Sequence, residues 1–201
     1  MSLRPEVSLR NAALIVWDMQ NGIARRAFNY SEIVGNVKLL VDAAHRCQTP
    51  VIYSQHTGLP SKYLSKYFQY SLKRRGIDPS KSSFMVEGSE EWKVVNELTP
   101  SEDDLVLKKH TASFFVGTIL EQVLRSRNVE SLILSGVSTE GGIEGTARHG
   151  ANLGFIPMIA QDAVGSFEQK PHEGMLEIMR RVFEVETTST IIKNMESEQR
   201  T

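Results

Sequence analysis

The sequence predicts an α/β fold, a three-layer α/β/α sandwich around a six-stranded, mainly parallel sheet. Three observations carry that prediction. Short apolar, β-branched runs recur at 13–17, 51–54, 105–107, 132–134, 156–160 and 185–190. Segments of helical period separate them at 31–47, 90–98, 117–127, 140–153 and 171–183, with a polar insertion at 61–81. Most of the runs are apolar on consecutive rather than alternate positions, as in strands covered by helices on both faces. Strands alternating with helices in this way call for right-handed crossovers and a parallel sheet.

Bulk properties narrow the classes of function. A length of 201 residues is about one domain's worth, so one domain over 1–201 is expected. The 23 Lys and Arg residues nearly cancel the 24 Asp and Glu. No net field draws such a chain to nucleic acid or to an anionic membrane, and a small-molecule substrate is the expected partner. No stretch reaches the length of a membrane span, and residues 1–11 lack a signal-peptide core, so a cytoplasmic protein is expected. The single cysteine, Cys47, can form neither an internal disulfide nor a thiolate metal site.

In open parallel sheets, ligands bind beyond the carboxyl ends of the strands. The residues just after each run are therefore the informative ones: Asp18 to Gln20, Gln55 and His56, Lys109 and His110, Gly136 to Gly142, and Gln161 with Asp162. Asp18 is the only acid of the first strand region. A carboxylate at the end of a buried strand loses solvation, so its charge must be balanced or its pKa rises, as a catalytic acid or base requires. Lys109 closes the third run and can reach Asp18 from one or two strands away, strands being about 4.8 Å apart. Of Lys108 and Lys109, one is expected to face solvent. The run Gly136-Val137-Ser138-Thr139-Glu140-Gly141-Gly142 then turns from strand into helix. Free N–H groups at such a helix start suit an anion or a developing oxyanion.

These residues resemble the motifs of the isochorismatase-like (cysteine hydrolase) superfamily. Asp18-x-Gln20 resembles the motif after its first strand, and Lys109-x-x-x-Ser113-x-Phe115-x-x-Thr118 its lysine motif. Gly136-Val-Ser-Thr-x-x-Gly142-Ile-x-x-Thr146-Ala-Arg resembles its nucleophile motif, and Asp162-Ala163 also fits. The resemblance runs in order from about residue 12 to 190. It implies strand order 3-2-1-4-5-6, a non-proline cis peptide between Val137 and Ser138, and assembly as a homo-oligomer, dimer or tetramer. It also implies Asp18 as the proton-transfer group supported by Lys109, with Ser138, Thr139 and Gly141 at an oxyanion or substrate site and no cofactor. The nucleophilic cysteine of the amide-hydrolysing members would stand at 142, where this chain has Gly142. Glycine offers no nucleophile, so acyl-enzyme chemistry lacks its first partner. The resemblance includes a glycine-bearing branch that hydrolyses the vinyl ether of isochorismate through a protonated aspartate and water, and that substrate class matches best. A catalytically silent ligand-binding member, or an amide hydrolase whose cysteine has been replaced, are the alternatives.

Plainer readings stand beside each candidate. Asp18 could cap a turn, and Gly141 and Gly142 could serve a tight turn needing positive φ or close backbone packing. His56 and Gln20 are candidate substrate contacts, with a surface histidine the plainer role for His56. Trp17, Phe114 and Phe115 read as core or as the wall of a pocket for a planar substrate. No dinucleotide or phosphate-binding glycine pattern occurs, and no metal site is expected, because His56 has neither a neighbouring acid nor a second histidine. In the insertion, Tyr63, Tyr67 and Tyr70 fall at helical spacing among Lys62, Lys66, Lys73, Arg74 and Arg75. This reads as a solvated face on a lid or subunit-contact helix, able to supply a cation to an anionic substrate.

Overall fold

A computed structural model describes residues 7–81 and 84–198. Its sheet runs β3 (Leu105–Lys109), β2 (Val51–His56), β1 (Ala12–Trp17), β4 (Ser131–Val137), β5 (Ile156–Gly165), β6 (Glu184–Glu186), with every neighbouring pair parallel. This is the order that the resemblance implied. All six residues of β1 are buried. Its alternate positions feed two cores, which is why the strand reads as continuously apolar. Leu14 and Val16 pack on the face covered by α2 (Tyr30–Arg46) and α7 (Thr188–Glu198), among Ile33, Val37, Leu40, Ile191 and Met195. Ala13, Ile15 and Trp17 pack on the other face with residues of α4 (Leu120–Ser126), α5 (Glu144–Asn152) and α6 (Gln169–Met179). In α2 the buried residues Ile33, Val37, Leu40, Val41, Ala43 and Ala44 keep to one helical face.

Three expectations are corrected. The run at 185–190 is a strand only over Glu184–Glu186, because Thr188 opens α7. The cause is Asp162, whose Oδ1 accepts hydrogen bonds from the N–H (2.7 Å) and the hydroxyl (2.8 Å) of Thr188. Asp162 and Gln161 do not follow β5 but lie within it, since the strand continues to Gly165 beyond a register shift against Leu134 and Gly136. The expected helix at 90–98 is a string of turns ending in one 3-10 turn, Asn96–Leu98. Its carbonyls are used elsewhere: those of Glu91 and Lys93 accept from Gly22 and Asn21 at the start of α1 (Asn21–Ala24).

In the insertion, α3 (Lys66–Arg74) begins at Ser65, whose side chain caps the N–H of Phe68. It buries Leu72, while Tyr63, Tyr67 and Tyr70 are exposed. Among the described residues no helix is long and apolar enough to cross a membrane.

Candidate active site

The end of β1 turns sharply, with Asp18 at φ 45°. β2 lies between β1 and β3 and supplies the bridge. Ser54, paired with Trp17 in the sheet, donates its hydroxyl proton to Asp18 Oδ1 at 2.6 Å and accepts from the Asp18 N–H at 3.0 Å. Lys109, at the end of β3, extends past β2 and places Nζ 2.7 Å from Asp18 Oδ2 and 3.1 Å from the Thr111 carbonyl. Asp18 is 2% exposed and Lys109 1%. Lys108 takes the solvent side and pairs with Glu87.

Burial of both groups costs each its charged form, and mutual attraction opposes that cost. Desolvation is the larger influence on Asp18 and raises its pKa above the ordinary carboxylate value, against the lowering by Lys109 and Ser54. Desolvation likewise pulls Lys109 below the usual lysine value, against Asp18. Each shift acts against the charged form of its own group.

Beyond β4 the Val137–Ser138 peptide is cis, and Thr139–Ile143 form one wide π-turn leading into α5. The Ser138 carbonyl accepts from the N–H of Gly141 (3.3 Å) and of Ile143 (3.0 Å). Neither Gly141 nor Gly142 lies in the left-handed region, so positive φ is not what their positions require. Close packing is what Gly142 requires. A Cβ there would lie 2.0 to 2.2 Å from three ring carbons of Trp17. The Trp17 indole is 5% exposed, donates Nε1–H to Thr146 Oγ1 at 2.9 Å, and carries the Lys109 ammonium 3.6 Å above its ring centroid. Asp18, Lys109 and the turn at Gly142 thus share one locus, with the indole in contact with both the lysine and the glycine.

The other candidates fall differently. Gln20 is fully buried and spends its amide on backbone, giving to the carbonyls of His56 and Trp92 and accepting from the His56 N–H. It braces the ends of β1 and β2. His56 sits under Phe68 of α3 and Phe84, and burial with the nearby charge of Lys109 lowers its pKa to about 3. A neutral imidazole there belongs to the underside of the insertion. Phe115 stacks on Phe155 and packs against His149 in the core. Thr139 donates to the Gly165 carbonyl and meets His172 Nδ1, so its hydroxyl is engaged away from Asp18. Among the described residues no three His, Cys, Asp or Glu side chains gather as a metal would need. Sequence reasoning missed Ser54, named Thr146 in the motif without a role, and left Trp17 as core or wall. The available signal was a bulky indole beside the acid together with a glycine pair in the facing turn.

A sequence model of the isochorismatase domain matches residues 12–191. The chain belongs to the isochorismatase family. This is a hydrolase family, and the parallel sheet described above is its α/β architecture. The ureidoacrylate amidohydrolase RutB of Cronobacter sakazakii is 31% identical over 185 residues, 81% of this chain and 79% of the relative. That of Cronobacter turicensis is 32% identical over 183 residues, 80% and 78% of the two chains. Among solved structures, a cysteine hydrolase from Pseudomonas syringae pv. phaseolicola superposes with TM-score 0.83 at 24% identity, covering 98% of each chain. N-carbamoylsarcosine amidase from Thermoplasma acidophilum gives TM-score 0.73 at 22% identity, covering 89% of this chain and 96% of that one.

Proposed function

We propose that this isochorismatase-family chain hydrolyses a small, anionic molecule by proton transfer from Asp18 followed by attack of water, without a covalent intermediate. One observation carries the reading. The carboxyl of Asp18 is held by Ser54 and Lys109 in a site so dry that its pKa is raised above the ordinary carboxylate value, which eases its protonation, while position 142 offers no nucleophile. A general acid with a raised pKa supplies about 10²- to 10⁴-fold in rate. An isochorismate-type vinyl ether is the substrate class that asks for nothing more. Its terminal carbon takes the proton of Asp18, the resulting oxocarbenium ion is captured by water, and the hemiketal collapses to a ketone and an alcohol. The proton released by water returns to Asp18. Lys109 holds the transient carboxylate, whose charge the buried site could not otherwise carry. An amide, such as the ureido compounds named for the curated relatives, lacks the protonatable carbon and needs the thiol that Gly142 does not provide.

A second reading has its own observation. With Asp18 and Lys109 both nearly inaccessible, the chain could bind a ligand at the rim without turning it over.

The test incubates the protein with isochorismate and, in parallel, with ureidoacrylate, nicotinamide and N-carbamoylsarcosine. Release of the ketone product from isochorismate, lost at least 10²-fold in a folded Asp18→Asn variant, supports the enzyme. Turnover of an amide instead overturns the substrate class. Thermal stabilisation by isochorismate without product supports the binder.

A further inference from the structure

We infer that Trp17 is a positioning residue of this site: its indole takes the volume that a side chain at 142 would occupy and fixes the ammonium of Lys109 against Asp18. Four contacts support it. The ring is locked in its plane by Nε1–H to Thr146, whose hydroxyl oxygen also accepts the Phe114 N–H at 3.1 Å, so the anchor itself is held at a second point. Three ring carbons lie where a Cβ of residue 142 would have to be. Lys109 Nζ stands 3.6 Å over the ring centroid while it bonds Asp18. An ammonium over an indole face is drawn to the ring quadrupole, most strongly where water is excluded. At 1% exposure, Lys109 has no solvent to replace what the ring supplies.

The arrangement has a chemical consequence. When the carboxyl is protonated, the charge of Lys109 keeps only the neutral carbonyl of Thr111 as a hydrogen-bond partner in the dry interior, so a further stabilising contact matters if the acid is to lose and regain a proton. The indole is such a contact, and it neither accepts nor donates that proton. Gly142 is then the complement of Trp17, present because the ring leaves no room for anything larger.

That Lys109 serves hydrolysis depends on the function proposed above; the placement by Trp17 does not, and its test uses no substrate. Two double-mutant cycles are read by thermal unfolding. In the first, Gly142→Ala is compared in the wild type and in Trp17→Val. The alanine is expected to lower the melting temperature strongly beside the indole and weakly, or not at all, once the ring is gone. In the second, Trp17→Val and Lys109→Met are expected to lose less together than the sum of their separate losses. Trp17→Phe, which keeps an aromatic face, is expected to retain part of the coupling with Lys109 where Trp17→Val retains none. A purely space-filling Trp17 would show no such dependence. Wild-type protein should also show the Lys109 ammonium protons shifted upfield by the indole ring current in nitrogen-detected NMR, a shift absent from Trp17→Val. Additive cycles for both pairs, or equal coupling with Phe and Val, overturn the inference. If the cycles hold and isochorismate is untouched, the functional reading alone falls.

Discussion

Asp18 and Asp162 are two aspartates that the sequence places near strand ends, and the fold gives them opposite work. Asp162 lies in β5 and receives two neutral donors, the N–H and hydroxyl of Thr188, at the first turn of α7. Its charge meets the positive end of a helix and it joins two elements. Asp18 lies past the end of β1, is 2% exposed and faces a lysine equally buried. Its charge is costly there and its pKa rises. The contrast shows what separates a structural acid from a reactive one in a layered sheet: the net cost of its ionised form, which burial raises and donors or an opposing charge lower.

The largest effect that would sharpen this contrast is on the partner lysine. Lys109→Met leaves the Asp18 carboxyl buried without its counter-ion, and removal of one member of a buried pair costs about 3–5 kcal/mol. Chemical denaturation should show this. The same substitution at the adjacent Lys108, paired with Glu87 at the surface, should cost about 1 kcal/mol or less. Equal losses at the two lysines would mean that burial is not what distinguishes them.

His56 supplies a smaller effect that acts on the same pocket through pH. Its folded pKa, about 3, lies below its ordinary 6.5. The folded state therefore takes up a proton later than the unfolded chain does. The stabilisation that this represents is complete above pH 6.5 and is lost as pH falls from there toward 3. At pH 5 the loss amounts to about 2 kcal/mol. The folded pKa of His172 is also lowered and acts in the same direction, while Asp18, with its raised folded pKa, acts in the opposite one. Both remain in a His56→Gln variant. Between pH 7 and pH 5, urea unfolding of the wild type should thus lose about 2 kcal/mol more than the variant does. Parallel losses would show that His56 is not held neutral under Phe68 and Phe84.

The parts of this architecture legible in the chain were those that burial writes into consecutive residues. Runs such as 13–17 and 132–134 had to be apolar on both faces, and Asp18 and Lys109 stood out by interrupting or ending them. What stayed hidden depended on partners distant in sequence. The segment at 90–98 has helical spacing, yet its carbonyls pair with residues 21 and 22, so tertiary hydrogen bonds overrode the local pattern. Residues 188–190 are β-branched or small enough for a strand, but the Asp162 cap starts a helix there. Gln20 and Phe115, candidates for substrate contact, have structural partners that the sequence did not show: the carbonyl of Trp92 and the ring of Phe155. Position 142 read as an absence, and only the coordinates of Trp17 show that a ring fills the space.

The smallest effect belongs to Asp162 and completes the comparison. Asp162→Ala removes both bonds to Thr188 and exposes the first N–H groups of α7, a loss that for helix caps is about 0.5–2 kcal/mol. The damage should stay local, because α7 is still held by Ile191 and Met195 packed against α2 and the sheet. Amide exchange is the measurement that discriminates. Protection should fall in the first turns of α7 and at Thr188, with β1 and β3 unchanged, since nothing in the Asp162 contacts reaches Asp18 or Lys109. Accelerated exchange around Trp17 and Lys109 in this variant would join the two aspartates in one network, and the division of labour between them would be wrong.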